Sequence, residues 1–195
     1  MEDDLASTRL LDAAERLFYA EGVQAVGMDR IRAESGVPLK RLYRLYPAKA
    51  DLVAAYLDRR DVRWTASLTA HVDAAPADPR ARLAAAFDWL AAWFSEPGFR
   101  GCAFVNAFGE LGYADAPVLA IVRRHKAALR ALLGGLVDDL VRDAGAPPAR
   151  AEDLADQLML LVEGAIAVAA LRPGPAPAHN AHKAADALVD AALSA

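Results

Sequence analysis

Leu10, Ala13, Ala14, Leu17 and Phe18 recur at three- and four-residue steps, which line up side chains on one face of a helix, and Glu21-Gly22 supplies a glycine stop. This spacing predicts a first helix over about 6–21. Met28 and Ile31 mark a short helix over 28–35, followed by Ser35-Gly36-Val37 and a second short helix over 38–45 with Leu42 and Leu45 inward. Pro38 suits the first helical position of that segment, where its missing N–H has no partner to lose, and Tyr46-Pro47 closes it. The pattern is helix, tight glycine turn, helix. A long helix then starts at Ala48 or Lys49 and carries Val53, Tyr56 or Leu57, Trp64, Leu68 and Val72 to about residue 73.

Past the Pro76 and Pro79 break the pattern stays helical. Leu83, Phe87, Leu90 and Phe94 mark a helix ending near Pro97-Gly98, and Phe104 and Phe108 a short one over about 102–111. Val118, Val122, His125, Leu129, Leu132, Leu136 and Leu140 form a long amphipathic stripe stopped by Gly145-Ala146-Pro147-Pro148. Helices over about 150–171 and 178–194, separated by Pro173-Gly174-Pro175, complete the chain.

Composition agrees with this periodicity. The 195 residues are 55% hydrophobic, mostly Ala, Leu and Val, with too few Thr, Ile and aromatic residues for an extensive sheet, so the expected class is all-α. No apolar run of membrane-spanning length stands out, and the start, MEDDLASTRL, is acidic where a secretory signal would be basic and then apolar. A cytoplasmic location is expected, and the single cysteine, Cys102, fits a reducing compartment. Charge is unevenly placed. Over 30–49, Arg30, Arg32, Lys40, Arg41, Arg44 and Lys49 stand against Glu34 alone, which gives +5 there and leaves −9 for the rest of a chain of net charge −4. Such a stretch is either a solvated helix surface or a docking face for an anion.

The run GVQAVGMDRIRAESGVPLKRLYRLYPAKADLV decides between them. With Gly22, Ile31, Gly36, Val37, Leu42, Tyr43, Tyr46, Pro47, Lys49 and Leu52 in register, it resembles the DNA-binding signature of the TetR family of repressors. LLDAAERLF ahead of it resembles the family's first helix, so the resemblance covers about 8–53. Gly27 and Pro38 depart from the usual capping Ser or Thr, and Arg32 from a small residue. The resemblance implies a three-helix DNA-binding module with a helix-turn-helix over 1–48 and a helical ligand-binding and dimerisation domain over 49–195. Pro38, Leu39, Lys40, Arg41 and Arg44 are then the residues facing the major groove, with Arg and Lys suited to guanine and Pro38 or Leu39 to a thymine methyl. Tyr43 and Lys49 are implied phosphate contacts, Lys49 aided by the helix it starts, while Tyr46 is expected to pack rather than read.

The segment FRGCAFVNAFGELGY also resembles a sequence seen in several family members. Trp64, Phe87, Trp89, Trp93, Phe94, Phe99, Phe104, Phe108 and Tyr113 fall in the elements that wall the family's pocket, with Asn106 and Glu110 as polar anchors, which implies an apolar or aromatic small-molecule effector. Each ring taken singly also reads as plain core. Glu163 interrupts an apolar run and is either a buried charge with a partner, a pocket residue, or a side chain turned to water. Cys102 is a small core residue or an oxidant or electrophile sensor; His179 and His182 are a solvated face or an incomplete metal pair. No catalytic residues, cofactor or metal are expected, and the protein is read as no enzyme. From Leu158 to Leu171 the helix is apolar nearly all round, and Leu188, Val189, Ala192 and Leu193 give the last helix an apolar stripe, so a homodimer through the last two helices is expected. The functional expectation is a ligand-responsive repressor that binds a pseudo-palindromic double-stranded operator as a homodimer, without a membrane partner. The alternative is a helical small-molecule-binding or protein-interaction module that no longer reads DNA.

Overall fold

The computed structural model describes residues 2–194 and is all-helical, with no strand among the described residues. The helices are α1 (Glu2–Glu21), α2 (Met28–Ser35), α3 (Leu39–Leu45), α4 (Lys49–Asp73), α5 (Pro79–Phe94), α6 (Ala103–Leu111), α7 (Ala116–Asp143), α8 (Ala149–Leu171) and α9 (Ala176–Ser194), with a 3-10 turn at Gly112–Ala114 before α7. Two local differences from the periodicity have simple causes. α1 starts a turn earlier than its apolar stripe, because Glu2, Asp3 and Asp4 favour the positive end of a helix. Pro38 caps α3 from outside, at φ −59° and ψ 142°, instead of opening it.

The chain forms two compact units. The first takes the chain up to Val62 together with Ala103–His125; the second takes Arg63–Cys102 and the chain from Lys126 onward. This cuts the chain differently from a division at 48/49, since α4 and α7 each contribute to both units and α6 joins the first.

In the first unit Leu10, Ile31, Leu42, Leu52 and Leu57 are fully buried, and Phe18 meets Tyr56 at 5.8 Å between ring centroids. Charged groups stitch α1 to α4 at the edge of this core. Arg59 donates to Asp12 and Glu15 at 2.8 Å each, and Arg60 bonds Glu15 at 3.1 Å while its guanidinium lies 4.0 Å over the Tyr19 ring. His125 is buried, bonded through Nδ1 to Asp61 at 2.8 Å and stacked on Phe104 at 3.7 Å.

The second unit is built around stacked aromatics and the α8–α9 pair. Asp78 caps α5 by accepting from the Ala81 amide at 2.7 Å, with Pro79 in the first turn. Phe87 stacks on His182 of α9 at 5.2 Å, and Arg80 reaches Asp190 at 2.6 Å. α8 corrects one expectation. Its most apolar 18 residues have a mean hydropathy of 1.8, so by length and composition it is able to cross a membrane, and only 39% of that stretch is buried. Asp156 and Glu163 interrupt the run to the eye without lowering its mean enough.

The two faces of α8 explain the figure. Leu154, Leu158, Val162, Ala165, Ile166 and Ala169 are buried within the unit, while Leu160 (73% exposed), Gly164, Val168 and Leu171 (84% exposed) form an open stripe. A groove of about 360 Å³ runs beside that stripe, between Leu160, Leu161 and Val168 of α8 and Pro177, Ala181 and Ala184 of α9. The apolar stripe expected on α9 is different: Val189 is 1% exposed and packs inside its own unit. A 3.6-residue repeat identifies a face of α9 but not what covers it, and here the chain itself covers Val189.

Candidate nucleic-acid interface

α2 and α3 are short, and their mutual packing rests on a few apolar contacts and one turn. Ile31 and Leu42 are fully buried and Val37 nearly so. Gly36 ends α2 in the left-handed region, at φ 65°, with its N–H bonded to the Arg32 carbonyl at 3.0 Å. A residue with a Cβ would be strained there. Ser35 completes the turn: its buried hydroxyl donates to the Arg32 carbonyl and accepts from the Val37 amide, both at 3.2 Å. That role was missed in the sequence, although a serine just before a turn glycine is a recurring local hydrogen-bonding signal. Asp51 caps the next helix, accepting from the Ala48 amide at 2.8 Å.

This packing leaves one side of α3 facing out. Pro38, Leu39, Lys40, Tyr43 and Arg44 are exposed and Arg41 half-buried. Tyr46 is partly covered, and its hydroxyl meets Ser7 Oγ of α1 at 2.7 Å. Leu39 and Tyr43, four positions apart on the same side of α3, are large apolar groups 42% and 46% exposed.

Charge on this surface is more balanced than residues 30–49 suggest on their own. Arg30 pairs with Glu21, Arg32 lies 3.9 Å from Asp29, and Arg41 and Arg44 meet Glu2 and Asp3 of α1. Lys49 donates to the Gln24 carbonyl at 3.3 Å. Burial holds its ammonium below the ordinary lysine value, and the nearby Glu110 carboxylate partly offsets that.

Glu110 has a position that spacing did not reveal. It comes from α6, yet its carboxylate accepts from the Val23 amide at 3.0 Å and the Gln24 amide at 2.6 Å, while the Gln24 side chain returns a bond to the Glu110 carbonyl. The turn between α1 and α2 is thus clasped from α6. Gly22 makes room for the clasp: it sits at φ 91°, and a Cβ on it would lie 3.0 Å from Glu110 Oε1. Gly22→Ala combines an unfavourable backbone region with displacement of the carboxylate. It is expected to lower unfolding free energy by about 2–3 kcal/mol and the melting temperature by about 4–12 °C. Calorimetry of the two chains checks this, and an unchanged melting temperature would mean that the turn relaxes freely.

The residues expected to wall an effector pocket fall in both units. Phe104, Asn106, Phe108 and Glu110 belong to the first, with Phe108 edge-on to Tyr113 at 5.3 Å. Trp64, Phe87, Trp89, Trp93 and Glu163 belong to the second. There Trp64 is edge-on to Trp89 at 5.0 Å and to Trp93 at 5.6 Å, and Trp93 is edge-on to Phe99 at 5.0 Å. The Trp89 indole donates to Ser67 at 3.0 Å. Glu163 has a charged partner, Lys126 at 2.7 Å, whose ammonium also lies 3.4 Å from the buried Cys102 sulfur. A cavity of about 330 Å³ in this unit is lined by Thr69, Val72, Asp73, Arg82, Gly135 and Asp139 among others, and not by the tryptophans.

The comparisons with known proteins agree with this geometry. Residues 10–56 match a family model described as bacterial regulatory proteins, tetR family, and residues 79–185 one described as tetracyclin repressor-like, C-terminal domain. A TetR-family transcriptional regulator from Streptomyces coelicolor is 31% identical, with a TM-score of 0.86 over 97% of each chain. A regulator of the same type from Streptomyces avermitilis is 29% identical, with a TM-score of 0.77 over 96% of this chain and 97% of that one. An HTH-type transcriptional regulator of Mycobacterium tuberculosis is 38% identical over 60 residues, 31% of this chain and 30% of the relative. The match to such curated relatives thus spans under a third of their length.

Proposed function

Because the chain belongs to the TetR family of bacterial transcriptional regulators, which are DNA-binding proteins and not enzymes, we propose that it is a ligand-responsive repressor acting in the cytoplasm as a homodimer on a pseudo-palindromic operator. The observation that carries this reading is α3. Held from behind by Ile31, Val37 and Leu42, it turns Pro38, Leu39, Lys40, Arg41 and Arg44 outward, a set able to donate to guanine and to touch thymine methyl groups. Tyr43 and Lys49 flank it as phosphate contacts.

Functionally the division falls at 48/49, the reading head before it and the effector and dimer functions after it. The effector is an apolar or aromatic small molecule taken up among Trp64, Phe87, Trp89 and Trp93, with the Glu163–Lys126 ion pair of the same unit as its polar partner. α4 starts in one unit and ends in the other, so a shift along it couples effector to operator, with a coupling of about 1–3 kcal/mol. Two chains pair through the open stripe of α8 and the adjoining groove of α9.

The test is selection from a random duplex pool, followed by binding measured against salt. A recovered sequence with two related half-sites is expected; recovery of no sequence, with binding independent of salt, sinks the reading. Lys49→Ala is expected to weaken binding to every sequence by about three- to tenfold and to reduce the salt slope by about one per chain. The sign with pH follows from its depressed value. Raising pH neutralises Lys49 earlier than an ordinary lysine, so its share of binding fades sooner on the alkaline side.

A further inference from the structure

Arg41 and Arg44 face out from α3, and carboxylates of the same chain already hold both. Arg41 donates to Glu2 at 3.1 Å and lies 3.7 Å from Asp3, and Arg44 donates to that same Asp3 oxygen. The partners are 39 and 41 positions apart, so this is a tertiary contact and not a neighbour effect along one helix. The helix dipole accounts for acids in the first turn of α1. It does not account for two of them lying on the guanidinium groups of another helix. A groove of about 270 Å³ lined by Glu2, Leu5, Arg9, Gly36, Pro38 and Arg41 places these acids at the border of the reading surface.

A carboxylate on a guanidinium makes the same charge-assisted bonds that a phosphate would. We propose that Glu2 and Asp3 are an internal competitor for DNA: they occupy Arg41 and Arg44 until a duplex displaces them, and so hold down affinity for DNA of any sequence. The inference rests on the reading of α3 as the recognition helix. It has a consequence for salt. On DNA of random sequence, where no guanine stands in register for them, these arginines meet phosphate and release condensed cations, but the carboxylates they abandon gather cations back, so each pair contributes little to net release. Neutral side chains at these positions restore that release.

The experiment uses full-length protein and a 20-base-pair duplex of random sequence, with affinity measured by anisotropy from low to high salt. The double variant Glu2→Gln, Asp3→Asn is expected to bind about three- to thirtyfold tighter at low salt, with a slope steeper by up to about two per chain, and to converge with the natural protein at high salt. The same change made alongside Arg41→Ala and Arg44→Ala is expected to give no gain. Asp88→Asn with Glu96→Gln, in the second unit, changes net charge equally and is expected to leave binding as it was. Asp3→Asn alone keeps two first-turn acids and is expected to show part of the gain even if the double variant weakens α1.

Unchanged affinity and slope in a folded variant overturns the proposal, as does weaker binding, which would make the acids positioning groups for the arginines. Equal gain in the Asp88 and Glu96 control overturns it in favour of net charge. Failure of the natural protein to bind any duplex removes the function reading itself, a result distinct from all of these.

Discussion

A chain carrying Leu160→Glu and Val168→Glu is expected to sediment as a monomer at micromolar concentration, keep its helix content, and lose about a hundredfold or more in operator affinity. Both side chains stand in water in the isolated chain, so charging them leaves the chain's own core intact. What they belong to is an open apolar stripe continuing to Leu171 and bordered by a groove, on a helix of which 39% of the most apolar stretch is buried. A helix apolar on two sides needs a second cover. Under the proposed homodimer a second copy would supply it with matched chemistry, because the same stripe and groove would meet their own image across a two-fold axis. Each half-site is then read by a tethered head, and a monomer forfeits that tethering. A natural protein that sediments as a monomer would remove the arrangement. So would a variant that stays dimeric.

Replacing Arg41 and Arg44 together with Ala is the second large effect. A bidentate arginine–guanine contact is worth about 1–3 kcal/mol of discrimination, so two arginines on each of two heads, even at about 1 kcal/mol each, give an expected loss of about a thousandfold or more for the operator. The loss should be uneven across operator variants, confined to the base pairs these residues reach. Lys49→Ala, by contrast, is expected to act equally on all sequences. Uniform weakening from the arginine changes would make them phosphate contacts. Melting temperature should move little, because these ion pairs are largely exposed and such pairs contribute about 0–1 kcal/mol.

Elements dominated by local physics were legible in the sequence. Glycine and proline punctuate α1, α3, α5 and α7 where the chain does end or begin them, and Ile31, Val37 and Leu42 are buried as their spacing requires. The side of α3 that faces water was legible for the same reason. What escaped depends on contacts between distant segments. Nothing near Glu110 in the chain points to Val23 and Gln24, which are 87 and 86 positions away. The basic count over 30–49 is correct, yet α1 supplies the acids that moderate it. Periodicity likewise marked apolar faces on both α8 and α9 without separating the one left open, with Leu160, from the one filled, with Val189. In the sequence Glu163 is open to several readings, and only the fold supplies Lys126.

The clasp of Glu110 on the turn after α1 bears on how portable the reading head is. A fragment of residues 1–48 carries the outward side of α3 but leaves behind Lys49 and the carboxylate that takes up two backbone amides of its first turn. It also leaves behind the part of α4 whose Arg59 and Arg60 brace α1. Grafted onto a foreign effector domain, such a fragment would bring its contacts with DNA and not its own rigidity. A transplant that keeps the head intact has to carry a second, separate stretch of chain, Ala103–Leu111, so the exchangeable part of this protein is discontinuous in sequence.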